Sequence, residues 1–471
     1  MIYYLEKKEQ TTYDVINFLY QQEYGTDVDA IATNTNLSIG KVSEILSELT
    51  HDFSLYFPDY DVREQFYRNS FNQVIKGSKF SIDLFTNMLL SRSIFCEFMM
   101  DLLHERTINH DIYAANRNIS LSTVKREWRS LKDNLARHDI YIEKEQGFFK
   151  LKGNEEHMRY LFFVLIFYSN YAIPNYLTRA DLQFYDNTIL NNANEQSLRF
   201  LNIMLYTSLI RIKYGHLVSD EAEKHLFPDD LSSQEIFHNC FNSFYKGCKL
   251  PSKQLTRELN FLFFFSTILT LINIDTLSKM EANIPNNFFE DSLFPEINPI
   301  INEMTGIFNF KITPTEYFFL ISNLSKVIRK KQVFGSVLEL DIDFSGLNGF
   351  PKFVERLSNN LRQHPLIDTR HLFAIFYPIL DKRKQPISIL VASRLGTESQ
   401  MLLQDKLQRF IQNDINFVHF MEEQPDIVVS DIFIDTKDTP CFLIKPYPTL
   451  KEIYRLSFEI SKYINRDNIL I

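Results

Sequence analysis

The sequence predicts a multi-domain, mainly α protein with two N-terminal winged helix-turn-helix units, a helical middle and a C-terminal α/β domain. Three observations lead there. A 22-residue pattern near the N-terminus recurs at an offset of 82 residues. Phenylalanine is frequent, at 43, and glycine scarce, at 12 in 471 residues, which favours packed helices over turn-rich sheets. From about Lys384, strand-like apolar runs alternate with helical ones.

The first copy of the repeat reads VDAIATNTNLSIGKVSEILSEL, from Val28 to Leu49, and the second HDIYAANRNISLSTVKREWRSL, from His110 to Leu131. Ala32 falls on Ala114, Asn36 on Asn118, Leu37 on Ile119, Ser38 on Ser120 and Ile39 on Leu121. Val42, Leu46 and Leu49 fall on Val124, Trp128 and Leu131. A helix-turn-helix needs these residue types. The first helix needs a small residue where the second crosses it. The turn needs a residue that tolerates a left-handed backbone, as Asn does. A serine then caps the second helix, whose apolar stripe follows at helical spacing.

An apolar helix precedes each copy, at about Tyr13–Gln21 and Ser93–His104. After the second copy, Ile140–Glu143, the Gln146-Gly147 turn and Phe148–Gly153 read as the hairpin of a wing. After the first, the aromatic-rich stretch Leu55–Phe71 is expected to form a longer wing.

The net charge of −9 runs against a nucleic-acid partner until it is divided along the chain. From Ser120 to Arg137, Lys125, Arg126, Arg129, Lys132 and Arg137 stand against Glu127 and Asp133, a net +3. From Ser38 to Asp52, Lys41 stands against Glu44, Glu48 and Asp52, a net −2. Only the second helix suits a phosphate-lined major groove, with Ser120, Ser122, Thr123, Lys125, Arg126, Arg129 and Lys132 toward it. Lys144, Lys150 and Lys152 on the wing would touch the backbone. The first unit, with Lys41, either joins the contact, positions the second unit or meets a protein.

The middle, about Glu155 to Leu380, reads as helices with large apolar faces, broken at Phe227-Pro-Asp-Asp and Ile284-Pro-Asn-Asn. No HExxH, GxSxG or Walker A pattern occurs, so neither an enzyme nor a cofactor is expected. Cys96, Cys240, Cys248 and Cys441 form no CxxC pair, which argues against a metal site or a disulfide framework. The start, MIYYLEKKEQTT, lacks the apolar stretch of a signal peptide. Tyr160–Tyr168 and Leu259–Ile274 fall short of the roughly 20 apolar residues of a membrane span. A cytoplasmic protein is the expectation. Tyr206–His216 reads as a helix ending at Gly215, with a histidine that is either a half-exposed cap residue or a sensing or phosphorylated one.

In the last segment, Ile387–Ser393 reads as a buried strand, and Arg394–Ser399 as a turn opening a helix to about Ile411. Strands near Asn416–Met421, Ile427–Val429 and Cys441–Ile444 follow, then a helix from Thr449. That order implies a small parallel sheet.

This succession of parts resembles the Mga family of stand-alone virulence regulators of Gram-positive bacteria. The resemblance rests on the paired helix-turn-helix units, the wing ending Phe149–Gly153, the block Arg211–His216 and the closing α/β domain. It implies two bundles like phosphotransferase-system regulation domains (PRD-like) and a phosphotransferase IIB-like α/β domain. The boundaries are then 1–80 and 81–160 for the helix-turn-helix units, 165–285 and 286–382 for the bundles, and 384–471 for the last domain.

What the resemblance implies about function is an activator that binds promoter duplex DNA and dimerises through the last domain. Phosphocarrier proteins would tune it through His216 first, and His225 and His238 less well. The second bundle offers only His364 and His371, and the start of its long helix, Thr313–Lys331, has no histidine. A phosphotransferase IIB domain carries a nucleophilic Cys directly after its first strand. Here Ser393 stands there, which implies that phosphotransfer is lost. The alternatives are a phosphotransferase-system component, against which Ser393 argues, and an RNA-binding antiterminator, which would begin with a small β domain.

Overall fold

A computed structural model describes residues 5–21, 26–56, 82–145, 147–177, 195–219, 231–268, 296–335, 353–357, 367–381, 386–411, 415–434, 436 and 439–467. They fall into two compact units, residues 1–271 with 329–341, and residues 272–328 with 342–471.

The first unit begins with α1 (Lys7–Gln21), α2 (Val28–Thr35) and α3 (Ile39–Tyr56). Asp27 caps α2 by accepting from Ala30 N at 2.7 Å, and Asn36 ends it at φ 55°. Ser38 Oγ accepts from Lys41 N at 3.3 Å, and Val42, Ile45, Leu46 and Leu49 enter the core. The longer wing expected after the first copy is corrected at its start. Leu55 and Tyr56 close α3, because its helical spacing runs on past the repeat. The rest of that stretch lies outside the described residues.

The second copy follows α4 (Ile82–Ser91) and α5 (Ile94–Leu103). Helix α6 (His110–Arg117) is capped by Asn109 and ends at Asn118, φ 52°, and α7 (Leu121–Ala136) is capped by Ser120. Strands β1 (Tyr141–Glu145) and β2 (Phe148–Lys152) pair antiparallel, with Lys144 opposite Phe149. Gly153 ends the wing at φ 145°, where a Cβ would lie 2.5 Å from the Asp139 carbonyl oxygen. Only glycine fits that crossing. The core beneath is aromatic. Phe98, Trp128 and Phe149 meet edge to face, with centroids 5.0 and 5.1 Å apart.

Helix α8 (Glu155–Ser169) is buried on nearly every side, and the boundary expected between 160 and 165 falls inside it. It packs with α9 (Glu195–Lys213) and α11 (Ser252–Ile268), and α10 (Leu231–Tyr245) closes the bundle against α11. Inside lies a charge network. Arg159, wholly buried, donates to Glu258 at 2.6 and 3.1 Å and to Glu155 at 3.0 Å, and Arg211 also holds Glu155. Two cations hold the Glu155 carboxyl below its ordinary range against the opposing effect of burial.

The second unit holds α12 (Asn298–Phe308), α13 (Pro314–Phe334, up to Ile328) and α14 (Thr369–Asp381). Thr313 and Glu316 form a capping box at the start of α13, with Thr313 N donating to Glu316 Oε2 at 2.8 Å. The α/β region runs β3 (Ile387–Ala392), α15 (Thr397–Phe410), β4 (Ile415–Val418), β5 (Ile427–Ser430), β6 (Cys441–Leu443) and α16 (Leu450–Asp467). All pairs are parallel, in the order β4-β3-β5-β6. Both helices share one core with Ile389, Val391, Ile427 and Val429 of the sheet. Strand β4 stops three residues before the expected Met421, where a 3-10 turn begins and Glu423 accepts from the Phe420 N–H at 3.0 Å.

Candidate nucleic-acid interface

Helix α7 separates its two faces cleanly. Val124, Glu127, Trp128, Leu131 and Leu135 are buried, whereas Ser122, Lys125, Arg126, Arg129 and Lys132 are exposed. Their spacing of three and four residues puts all five exposed side chains on one face. At its N-terminus the Ser120 hydroxyl accepts from Thr123 N at 3.1 Å and meets the Ser122 and Thr123 hydroxyls at 2.7 and 2.9 Å. Ser120 therefore builds the helix end, and Thr123 is half-buried behind it.

Arg126, 65% exposed at its side chain, donates from Nε and from one terminal nitrogen to Glu127 Oε1 at 3.0 and 2.7 Å. The buried carboxylate steers the guanidinium while leaving most of it in solvent. The wing lysines divide. Lys144 is exposed and lies 5.8 Å from the Phe149 ring centre. Lys150 pairs with Glu105 at 3.4 Å and Lys152 with Glu145 at 2.7 Å.

In the first unit, Lys41 pairs with Glu44 of its own helix at 2.9 Å, which holds that carboxyl below its ordinary range. Within the first compact unit, the first helix-turn-helix is tied to the second by contacts of charged side chains. Arg92 holds Asp52 at 2.7 Å and Glu9 at 3.1 Å, and Glu6 accepts from the Ile94 N–H at 2.6 Å.

His216 follows the Gly215 turn (φ 82°) at the end of α9, and its Nε2 lies 2.6 Å from Glu105 Oε1. His238 is half-buried on α10; His225 and His364 lie outside the described residues. His371 is held against Asp368 at 3.1 Å. After β3, Ser393 Oγ donates to Asp431 at 2.7 Å, and Asp431 also accepts from the Arg394 N–H at 2.8 Å. An internal carboxylate thus occupies the loop where an anion would be cradled. Among the described residues no group of three His, Cys, Asp or Glu is placed to hold a metal ion, and no helix is long and apolar enough to cross a membrane.

Sequence reasoning singled out α7 and the wing but missed Glu105 and Asp431. Each reaches its partner across a sequence gap with no periodicity to betray it. It counted Glu127 only as a charge, because helical spacing pairs residues three or four apart, not neighbours.

A capped second helix with a cationic outer face, crossed by a first helix and flanked by a two-stranded wing, defines the class: a DNA-binding transcription regulator of the helix-turn-helix type. Residues 78–166 match the family model described as the Mga helix-turn-helix domain, so this stretch of the chain is a domain of that type. The match runs from the approach to α4 into α8, taking in the cationic copy of the repeat and not the acidic one. No curated protein matches the chain.

Proposed function

We propose that this chain is a cytoplasmic transcription activator that reads promoter duplex DNA through the second helix-turn-helix unit. The observation that carries the reading is the exposed row Ser122, Lys125, Arg126, Arg129 and Lys132, backed by a buried apolar face. Such a row supplies phosphate contacts, and the N-terminal residues of the helix supply base contacts. The first unit positions the second. Its only recognition-helix lysine is engaged by Glu44, while Arg92 clamps α1 and α3 against the start of α5. Activation of virulence or metabolic genes, and tuning by phosphocarrier proteins at His216, rest on the family resemblance.

Dimerisation through the α/β region is supported by exposed apolar side chains there, among them Phe433 at 92%, Tyr454 at 60% and Phe458 at 55%. Asp431, which follows β5 and whose carboxylate accepts from Ser393 and Arg394 of the loop after β3, supports a region without phosphotransfer activity. The test is a salt titration of binding to duplex DNA. Salt-sensitive binding that Arg126→Ala with Arg129→Ala removes supports the reading; binding indifferent to that change sinks it.

A further inference from the structure

Glu105 lies between the wing and the first helical bundle. It follows α5 in a left-handed backbone conformation, φ 46°, and its side chain is 12% exposed. One carboxylate oxygen meets His216 Nε2 at 2.6 Å; the other meets Lys150 Nζ of β2 at 3.4 Å. The His216 segment is itself anchored. Its carbonyl accepts from Arg159, and Val218 N donates to Glu258, both members of the buried charge network. Charged groups of the wing also face this corner: Glu145 and Lys152 pair with each other, and Glu143 acts on Lys152.

We propose that Glu105 is a positioning residue for DNA contact: it withholds Lys150 from phosphate, and His216 sets how firmly. A carboxylate shared between two donors holds each less tightly than it would hold one. While His216 takes the nearer oxygen, Lys150 is loosely held and competes for phosphate. When His216 releases Glu105, Lys150 is held fully. The state of the bundle thus reaches the DNA-contacting wing through one side chain, without a domain movement. The inference rests on the DNA-binding reading above.

The test uses the full chain. Glu105→Gln keeps the shape and removes the charge, so Lys150 is freed. The slope of log affinity against log salt steepens by about 0.9, the value for one added phosphate contact. Adding Lys150→Gln to that variant abolishes the gain. His216→Phe binds more weakly than wild type, because Glu105 is left to Lys150. In the free protein, Glu105→Gln raises the rate of Lys150 acetylation several-fold, read by mass spectrometry. A wild-type slope in Glu105→Gln, or a gain that survives loss of Lys150, overturns the proposal while leaving DNA binding intact. Absence of DNA binding with faster Lys150 acetylation overturns the functional reading instead and shows the carboxylate holding the lysine all the same. Unchanged acetylation overturns the proposal by itself.

Discussion

Trp128 of the recognition helix meets Phe149 of the wing edge to face, with ring centroids 5.1 Å apart. The same indole contacts Phe98 of α5 on another side, at 5.0 Å. It therefore joins three parts of the second unit: the supporting helix, the recognition helix and the hairpin. In the first copy of the repeat this position is Leu46, a smaller residue.

Trp128→Ala should accordingly cost about 3–5 kcal/mol, the usual range for removing a buried aromatic. The wing should loosen before the helices melt. Thermal unfolding followed by circular dichroism, with proteolysis near Gly147, reads both effects. An unchanged melting temperature would show that the aromatic cluster carries little of the unit's stability.

Arg126→Ala with Arg129→Ala should flatten the salt dependence of DNA binding by nearly two, about 0.9 for each phosphate contact removed. Lys41→Ala should change the slope by less than half of that, since Lys41 is paired with Glu44. Filter binding or fluorescence anisotropy between 50 and 200 mM salt, roughly the range in which such slopes are resolved, gives the comparison. Equal losses would assign the two units equal shares of the DNA.

Glu258→Ala should destabilise the first bundle by about 3–5 kcal/mol, because it leaves the buried Arg159 guanidinium short of its closest carboxylate. The double change Arg159→Met with Glu258→Met should cost less than the single one, since no uncompensated charge stays inside. Urea denaturation of the three proteins decides it. A double variant worse than the single would show that the network contributes more than it costs to bury.

Stability should fall on mild acidification. Burial lowers the pKa of His104, His110, His138 and His157 from the ordinary 6.5. The Nδ1 atoms of His138 and His157 find no hydrogen-bond partner among the described residues. Above pH 6.5 these rings are neutral folded or unfolded, so their contribution is complete. Below it the unfolded chain takes up protons that the folded one refuses, and stability is lost as pH falls toward the folded values. His138→Gln with His157→Gln should flatten the melting temperature between roughly pH 6.5 and 5 relative to wild type. A variant with the wild-type slope would place the acid sensitivity elsewhere.

Much of the helix-turn-helix geometry was legible because it is local. Asn118 at φ 52° and the Ser120 cap follow from what those side chains do to their own backbone. The apolar stripe Val124, Trp128 and Leu131 follows from helical periodicity, and the charge of α7 was countable directly. The parallel sheet was legible from alternation, though β4 stopped early because Glu423 draws the Phe420 N–H into a turn.

The partners of those charges were another matter. Nothing in the sequence around Lys150 points to Glu105, 45 positions earlier, and nothing around Ser393 points to Asp431. The residues that determine local backbone conformation, helix faces and segment charge act over a few neighbours, so the order of amino acids settles them. Which cations on the wing stay free for a partner and which are already claimed depends on Coulombic contacts across the fold. Those contacts exist only after apolar burial has brought α5, the wing and the end of α9 together.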